Sequence, residues 1–590
     1  MSATLSGRLA RAAADLSAGI HFLDRRERST FASFAAIAAS AAAIGSALRE
    51  LGVERGQRVA LIYPTCREFL DAFFGILHAG AVPVPLYPPV RLGRLDEYHR
   101  RSAALLNAAG AVLVLADRRL RPLLGPTLEL APPPLGCFKL GELPAIEAGP
   151  ATETGAEDLG LVQFSSGTTA LPKPVALSNR AILAQVDALN GFWQPGGIAR
   201  PTGFSWLPLY HDMGLIGCIF TALSLPSELT LLAPEVFIAR PALWLRGMAK
   251  TRAAISVAPN FAYGLCLEKI RDEEMEGVDL SAWQVALCGA EPVSPAVLRA
   301  FSRRFARWGL RPEALTPVYG LSEATLAVSF SHLDRVFTSR AYDRERLGRG
   351  EAVPAEDGNE LASLGTPLPG FSLRIVGAAG ETLPERQVGK LEVAGPSLME
   401  GHLGLPEATA EVLRDGWLDT GDLGFLDQGE LFLTGRAKDI VLLRGRNYAP
   451  ADLEQAVDEV AGIRKGCVVA ASHFPEGGER ELLYLFAERA QSEAGREDAE
   501  VLAARVRSAV LEGTGLLPDR VLLLEPGTLP RTSSGKLRRR ETLMLHLAGK
   551  LAPPRKVTPM LLAGAWLKSM LAFRRARQAK KTKPGDNGGG

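Results

Sequence analysis

Short apolar runs alternate with amphipathic stretches through the opening third of the chain. RVALIY (58–63) reads as a strand, and REFLDAFFGILHAG (67–80) places Phe69, Leu70, Phe73, Phe74 and Leu77 on one helical stripe. AVPVPLYPP (81–89) and AVLVLAD (111–117) read as further strands. Strand, helix, strand in that order predicts a parallel sheet with crossover helices. The alanine-rich run 31–48 is weakly hydrophobic and dotted with serine, and predicts a helix packed on the body.

The middle of the chain repeats one theme. SWLPLYHDMGLIGCIFTAL (205–223), AAISVAPNF (253–261), WQVALCGAEP (283–292) and TPVYGLSEAT (316–325) each join an apolar stretch to a polar end bearing glycine or proline. In open parallel sheets ligands gather at the carboxyl ends of strands, so these ends are candidate site segments. Residues 365–435 are richer in short strands, with turns at 415–416 and 428–430, and predict a β-rich part. After 433–439 the pattern changes again to a small α/β unit. Its predicted strands are 467–474, 481–488 and 520–526, around helices 450–461 and 493–513. The resulting division is 1–436, 437–548 and a tail, 549–590.

Composition changes this picture in two places. The chain is 47% hydrophobic and 22% charged, which places it with soluble globular proteins, and 590 residues exceed one ordinary core. Its net charge of +2 hides an uneven split: residues 555–590 carry nine Lys or Arg against one Asp, leaving 1–554 at −6. Cysteines 66, 137, 218, 266, 288 and 467 stand singly, which predicts reduced thiols in a cytoplasmic protein. No signal peptide is evident. In the tail, apolar residues at 561, 562, 566, 567, 570, 571 and 573 precede a cluster of cations. Three readings stay open for it: a helix docked on the body, a peripheral membrane contact, or a contact with an acidic carrier protein.

The candidate chemistry begins with FSSGTTALPKP (164–174). Ser165, Ser166, Thr168 and Thr169 offer hydroxyl and backbone donors, Gly167 permits close approach, and Lys173 supplies a cation. The loop lacks the Walker spacing, and a simple turn is its alternative. YGLSEAT (319–325) couples the Tyr319 ring to the Glu323 carboxylate, suited to stacking a base and holding a hard cation. Asp422, in GWLDTGDLG, could accept hydrogen bonds from ribose hydroxyls, and Arg436, in GRAKD, adds a second sugar or phosphate contact.

Together these segments resemble the adenylate-forming superfamily of acyl-CoA synthetases, luciferases and nonribosomal adenylation domains. Within it the chain is most similar to the fatty acyl-AMP ligases, through LYPPVRLGRLDEYHRR (86–101), SWLPLYHDMGLIG (205–217), APNFAY (258–263), CGAEPVSPAVLRAF (288–301), residues 335–353 and GRAKDIVLLRGRNYAPADLE (435–454). The likeness covers roughly residues 18–547.

The resemblance implies a large N-terminal domain, with two doubly wound α/β subdomains and a β-rich subdomain, followed by a small mobile α/β domain. It implies ATP and Mg2+, a fatty acid substrate, and transfer to the phosphopantetheine of an acyl carrier protein or polyketide synthase carrier domain, with no nucleic-acid partner. By the same matching Lys536 and His211 are catalytic, and Ser165, Ser166, Gly167, Thr168, Thr169 and Lys173 hold phosphates. Ala290, Glu291, Tyr319 and Gly320 surround adenine, Asp422 and Arg436 hold the ribose, Glu323 binds the metal, and Lys438 is the hinge. Two rivals are an acyl-CoA ligase and an adenylate-binding homologue acting as an interaction module. The resembled loop has glycine where Ala170 and Pro174 stand here, changes that stiffen it while keeping its donors.

Overall fold

The computed structural model describes residues 3–89, 92–165, 172–193, 201–443, 446–458, 460–475, 480–532, 535–554 and 557–581. Strands Val82–Leu86, Arg58–Ile62, Ala111–Ala116 and Gly136–Phe138 form a parallel sheet in that order. Val82–Leu86 lies at its edge, where Pro83 and Pro85 can forgo ladder donors. The predicted stripe forms helix Arg67–His78, with Phe69, Leu70 and Phe73 fully buried.

The second sheet has nine strands. Its centre runs parallel through Leu315–Gly320, Val285–Cys288, Ile255–Ala258, Gly203–Ser205, Glu228–Leu232 and Gly19–Leu23. Antiparallel strands close both sides. The polar segments singled out in the sequence follow the carboxyl ends of four of these parallel strands, so one edge of the sheet collects them. The sequence missed Gly19–Leu23 and Ser29–Ser33. The alanine-rich helix therefore starts at Phe34, where the Ser33 hydroxyl caps it by accepting from the Ala36 amide at 3.1 Å.

Residues 372–436 fold as an antiparallel sheet of Ser372–Val376, Gly389–Ala394, Leu413–Arg414, Trp417–Asp427 and Glu430–Arg436. Asp415–Gly416 and Gln428–Gly429 are its two-residue turns, all four residues having positive φ, from 50° to 77°. That geometry matches the twist of the strands they join. Trp417–Asp427 is a strand that the pattern does not predict, because its polar residues break the apolar alternation.

Beyond residue 440 a separate sheet pairs Ile463–His473, Leu482–Arg489 and Arg520–Leu524. Its main core, which includes Val441, Leu453, Leu485 and Val510, draws on no residue before 441 among the described residues. Helix Ala499–Thr514 starts later than predicted because the Asp498 carboxylate caps it. The chain then returns to the first sheet, where helix Pro559–Lys581 packs on helix Gly125–Leu130. Among the described residues no helix is long and apolar enough to cross a membrane.

Candidate active site

A cleft of about 120 Å³ lies where the carboxyl edge of the second sheet meets the unit beyond residue 440. One part is apolar, lined by Leu189, Trp193, Met213, Val257, Leu326 and Phe330. The other part is charged, lined by His211, Asp212, Glu323, Arg436 and Lys536. A site so divided suits an amphipathic acid with an anionic co-substrate.

Tyr319, Asp422 and Arg436 form one unit although 103 residues separate the first two. The hairpin Trp417–Asp427/Glu430–Arg436 sets Asp422 opposite Arg436 in register, and the arginine Nε donates to Asp422 Oδ1 at 3.0 Å. Tyr319 Oη donates to Asp422 Oδ2 at 2.7 Å. Burial and the neighbouring Asp422 carboxylate push the Tyr319 phenol far up, so it remains a donor. Gly320 follows at a bulge, and a Cβ there would meet the Leu326 carbonyl oxygen at 1.8 Å. Only glycine lets the two backbones approach this closely.

His211 and Asp212 open the short helix after strand Gly203–Ser205. His211 Nδ1 lies 2.5 Å from Asp212 Oδ1, and the Ser322 hydroxyl donates to the other carboxylate oxygen. Burial pushes the Asp212 carboxyl up, but His211, Ser322 and Lys536 outweigh it and hold it at about 2. Asp212 is therefore ionised throughout the neutral range. Glu323 differs: burial, with Asp212 and Asp422 nearby, raises its carboxyl despite Arg436.

Lys536 sits in a tight turn, its carbonyl accepting from the Thr532 amide at 2.8 Å and its amide donating to Thr532 Oγ1 at 3.0 Å. Burial and the Arg436 cation depress the Lys536 ammonium, while Asp212, Glu291 and Asp422 pull it back. The large part of the chain holds this arrangement through the segment 86–101. Arg94 donates to the carbonyls of Gly527, Thr528 and Ala552 at 3.0–3.3 Å, and Arg101 pairs with Glu541 at 3.0 Å.

Most of the residues expected from the sequence meet here. Ser165, His211, Ala290, Tyr319, Gly320, Glu323, Arg436 and Lys536 line the cleft, and Asp422 braces two of them. Ala290 does so with φ of 69°, a left-handed conformation costing about 1–2 kcal/mol for a non-glycine residue. Glu291 does not line the cleft: its carboxylate accepts from the Phe261 amide at 2.6 Å and caps helix Asn260–Lys269. Lys438 is exposed in the turn after Arg436.

Ser166, Gly167, Thr168 and Thr169, with Ala170, lie outside the described residues. The neck of their loop is described. The Ser165 amide donates to the Lys173 carbonyl at 3.0 Å, the Lys173 amide donates to Ser165 Oγ at 3.3 Å, and Phe164 pairs with Pro174 in a hairpin. Pro174 is the first residue of its strand, a position that tolerates proline. Burial together with the Lys173 charge lowers the nearby His402 imidazole to about 4.

The sequence reading missed Asp212, Ser322, Leu189 and Trp193. Asp212 was visible as a second polar residue beside His211. Ser322 stood inside the YGLSEAT motif beside Glu323, whereas Leu189 and Trp193 belong to helix Asn179–Trp193, whose approach to the cleft depends on packing.

The chain matches the model of the AMP-binding enzyme family over residues 10–403. It is 36% identical over 88% of its length to a Caulobacter vibrioides protein carrying an acyl-CoA synthetase name, covering 90% of that protein. It is 31% identical over 83% of its length to a long-chain fatty acid–AMP ligase of Mycobacterium tuberculosis, covering 86% of that ligase. A solved structure from work on fatty acyl-adenylate ligases of E. coli and L. pneumophila superposes with a TM-score of 0.86 at 32% identity. It covers 92% of this chain and 98% of that one. With a matching family model across two thirds of its sequence and relatives above 30% identity along most of the rest, the chain belongs to the AMP-binding enzyme family of adenylate-forming ligases.

Proposed function

We propose that the protein activates a medium- to long-chain fatty acid with ATP, forming acyl-AMP and pyrophosphate, and passes the acyl group to a carrier-protein thiol. The observation carrying this reading is the convergence of Lys536, Arg436 and His211 on the polar end of an apolar cleft. In the first step a carboxylate oxygen attacks the α-phosphorus. The new P–O bond forms as the bond to the β-phosphate oxygen breaks, and pyrophosphate takes the electron pair. Negative charge grows on the α-phosphoryl oxygens and the leaving group, so fixed cations in a dry cleft lower the barrier. Lys536 supplies the cation at the reacting oxygens, while His211 borders the fatty carboxylate. Tyr319 stacks on adenine with Ala290 along its edge, and Asp422 and Arg436 hold the ribose.

Among the described residues no three His, Cys, Asp or Glu side chains cluster to hold a metal alone. A single buried carboxylate facing a phosphate site nevertheless fits Mg2+, which keeps waters and shares phosphate oxygens, so Glu323 is the residue to hold it. Bound there, the ion would neutralise phosphate charge. Ser165 to Thr169 and Lys173 complete the phosphate site in this reading. Residues 1–436 and 437–548 form the large and small domains, with Lys438 as the hinge and 549–590 as the tail. The six free thiols fit a reducing cytoplasm.

The apolar end takes the chain of the acid. Gly217 lines it on a π-helical turn, and a Cβ there would stand 3.0 Å from Leu326 Cδ2. Gly217→Leu is expected to lower kcat/KM for long acids by about tenfold to a hundredfold, with short acids spared. A pyrophosphate-release series across chain lengths reads this, and a uniform loss would move the acyl chain elsewhere.

A carrier acceptor is favoured over free coenzyme A by the segment 335–353. It packs on the β-rich sheet, Tyr342 Oη donating to Asp427 at 2.8 Å and Arg340 pairing with the same carboxylate at 2.7 Å. Arg344 reaches the Gly513 carbonyl, and Asn359 donates to Asp452 at 2.9 Å. These contacts join the segment and its flank to the small unit and oppose its rotation. The Caulobacter relative's name supports the second reading, an acyl-CoA ligase. Offered coenzyme A alone, the enzyme is expected to accumulate acyl-AMP, whereas a phosphopantetheinylated carrier becomes acylated. Abundant acyl-CoA would establish the second reading.

A further inference from the structure

We propose that the outward face of helix Pro559–Lys581 binds the surface of an anionic lipid bilayer. The helix is apolar on two sides. Its inner side is anchored: Ser569 is fully buried, and its Oγ accepts from the Gly125 amide at 2.7 Å. Ala572 is buried beside it, the Arg121 guanidinium sits 5.0 Å above the Phe573 ring, and Arg575 pairs with Glu129 at 2.8 Å. These contacts fix which residues face away.

Met560, Leu567 and Leu571 recur at spacings of seven and four along the opposite side, and Trp566, seven residues before Phe573, lies at the border with the anchored side. They are 79%, 54%, 40% and 50% exposed, respectively. A row of large apolar side chains displayed on a well-anchored helix is unusual on a soluble surface and marks a contact.

Charge selects the partner. The helix carries six Lys or Arg and no acidic residue, so a second copy of the same face would be repelled. Its cations are concentrated towards the C-terminal end, at 574, 575, 577, 580 and 581, after the apolar row. Apolar side chains with a flanking tryptophan and adjacent cations match the acyl boundary and phosphates of an anionic leaflet. A carrier protein is the less favoured partner, because it must deliver its thiol to the cleft, and among the described residues neither this helix nor helix Gly125–Leu130 lines the cleft. Bilayer contact would also bring the enzyme to the phase where fatty acids partition.

The test is co-sedimentation of the full-length protein with phosphatidylcholine vesicles, with and without phosphatidylglycerol. Binding is expected only with the anionic lipid, weakening as salt rises. Leu567→Glu/Leu571→Glu is expected to reduce it about tenfold or more, leaving ATP–pyrophosphate exchange with a soluble short acid unchanged. The milder Trp566→Ala should give a smaller loss in the same direction. Wild-type protein remaining in the supernatant, equal sedimentation of wild type and double variant, or binding to an acidic carrier protein that alone responds to these substitutions would each overturn the proposal.

Discussion

Lys536→Ala is expected to lower ATP–pyrophosphate exchange by about 10²–10³-fold, the usual consequence of removing one preorganised group from a developing phosphoryl charge. The lysine reaches the cleft from a turn at the far end of the chain, so its loss removes a cation without disturbing the walls around it. Its environment adds a pH signature. Burial and Arg436 depress its ammonium, so the working, charged form is lost as pH rises, and earlier than for an ordinary lysine. The alkaline limb of kcat/KM should therefore begin below the usual lysine range. Lys536→Arg, whose guanidinium stays charged, should retain partial activity and abolish that limb. An unchanged exchange rate in the alanine variant would remove Lys536 from the chemistry.

Asp422→Ala is expected to raise KM for ATP by about tenfold to a hundredfold and to lower the melting temperature. Asp422 is buried and accepts from Tyr319 and Arg436 together, so its removal leaves a buried phenol and a cation unpaired beside Lys536. Loss of one partner from a fully buried pair costs about 3–5 kcal/mol. Arg436 is 43% exposed, and solvent screening reduces the figure here to about 1–3 kcal/mol. Asp422→Asn preserves an acceptor for Tyr319 and should recover part of the stability and little of the nucleotide affinity. Steady-state kinetics and calorimetry on both variants separate the effects, and equal KM values across the three proteins would contradict a nucleotide role.

What the sequence disclosed follows physical range. The stripe of helix Arg67–His78 and the strands at 58, 82 and 111 were legible because burial imposes a local period. The turns at 415–416 and 428–429 were legible because few residues tolerate their backbone. Strand Trp417–Asp427 was not, because the polar Asp419, Thr420 and Asp422 interrupt its alternation. Of the site residues expected by resemblance, nine come together at the cleft or brace it, and Glu291 is a described one that does not line it. Its backbone follows Ala290 at the cleft, whereas its carboxylate turns to cap a helix. Asp212 shows the converse, since its importance comes from His211, Ser322 and Lys536 meeting around it, and only the first is its neighbour in sequence.

The central claim is that this cleft joins a fatty carboxylate to the α-phosphate of ATP. Mass spectrometry of a reaction containing the purified protein, ATP, Mg2+ and a fatty acid, without any thiol acceptor, tests it most directly. Acyl-AMP and pyrophosphate should appear in equal amounts, only when the acid is present, and not with Lys536→Ala. Formation of ADP and phosphate, or no acyl-AMP across a range of chain lengths, would contradict it.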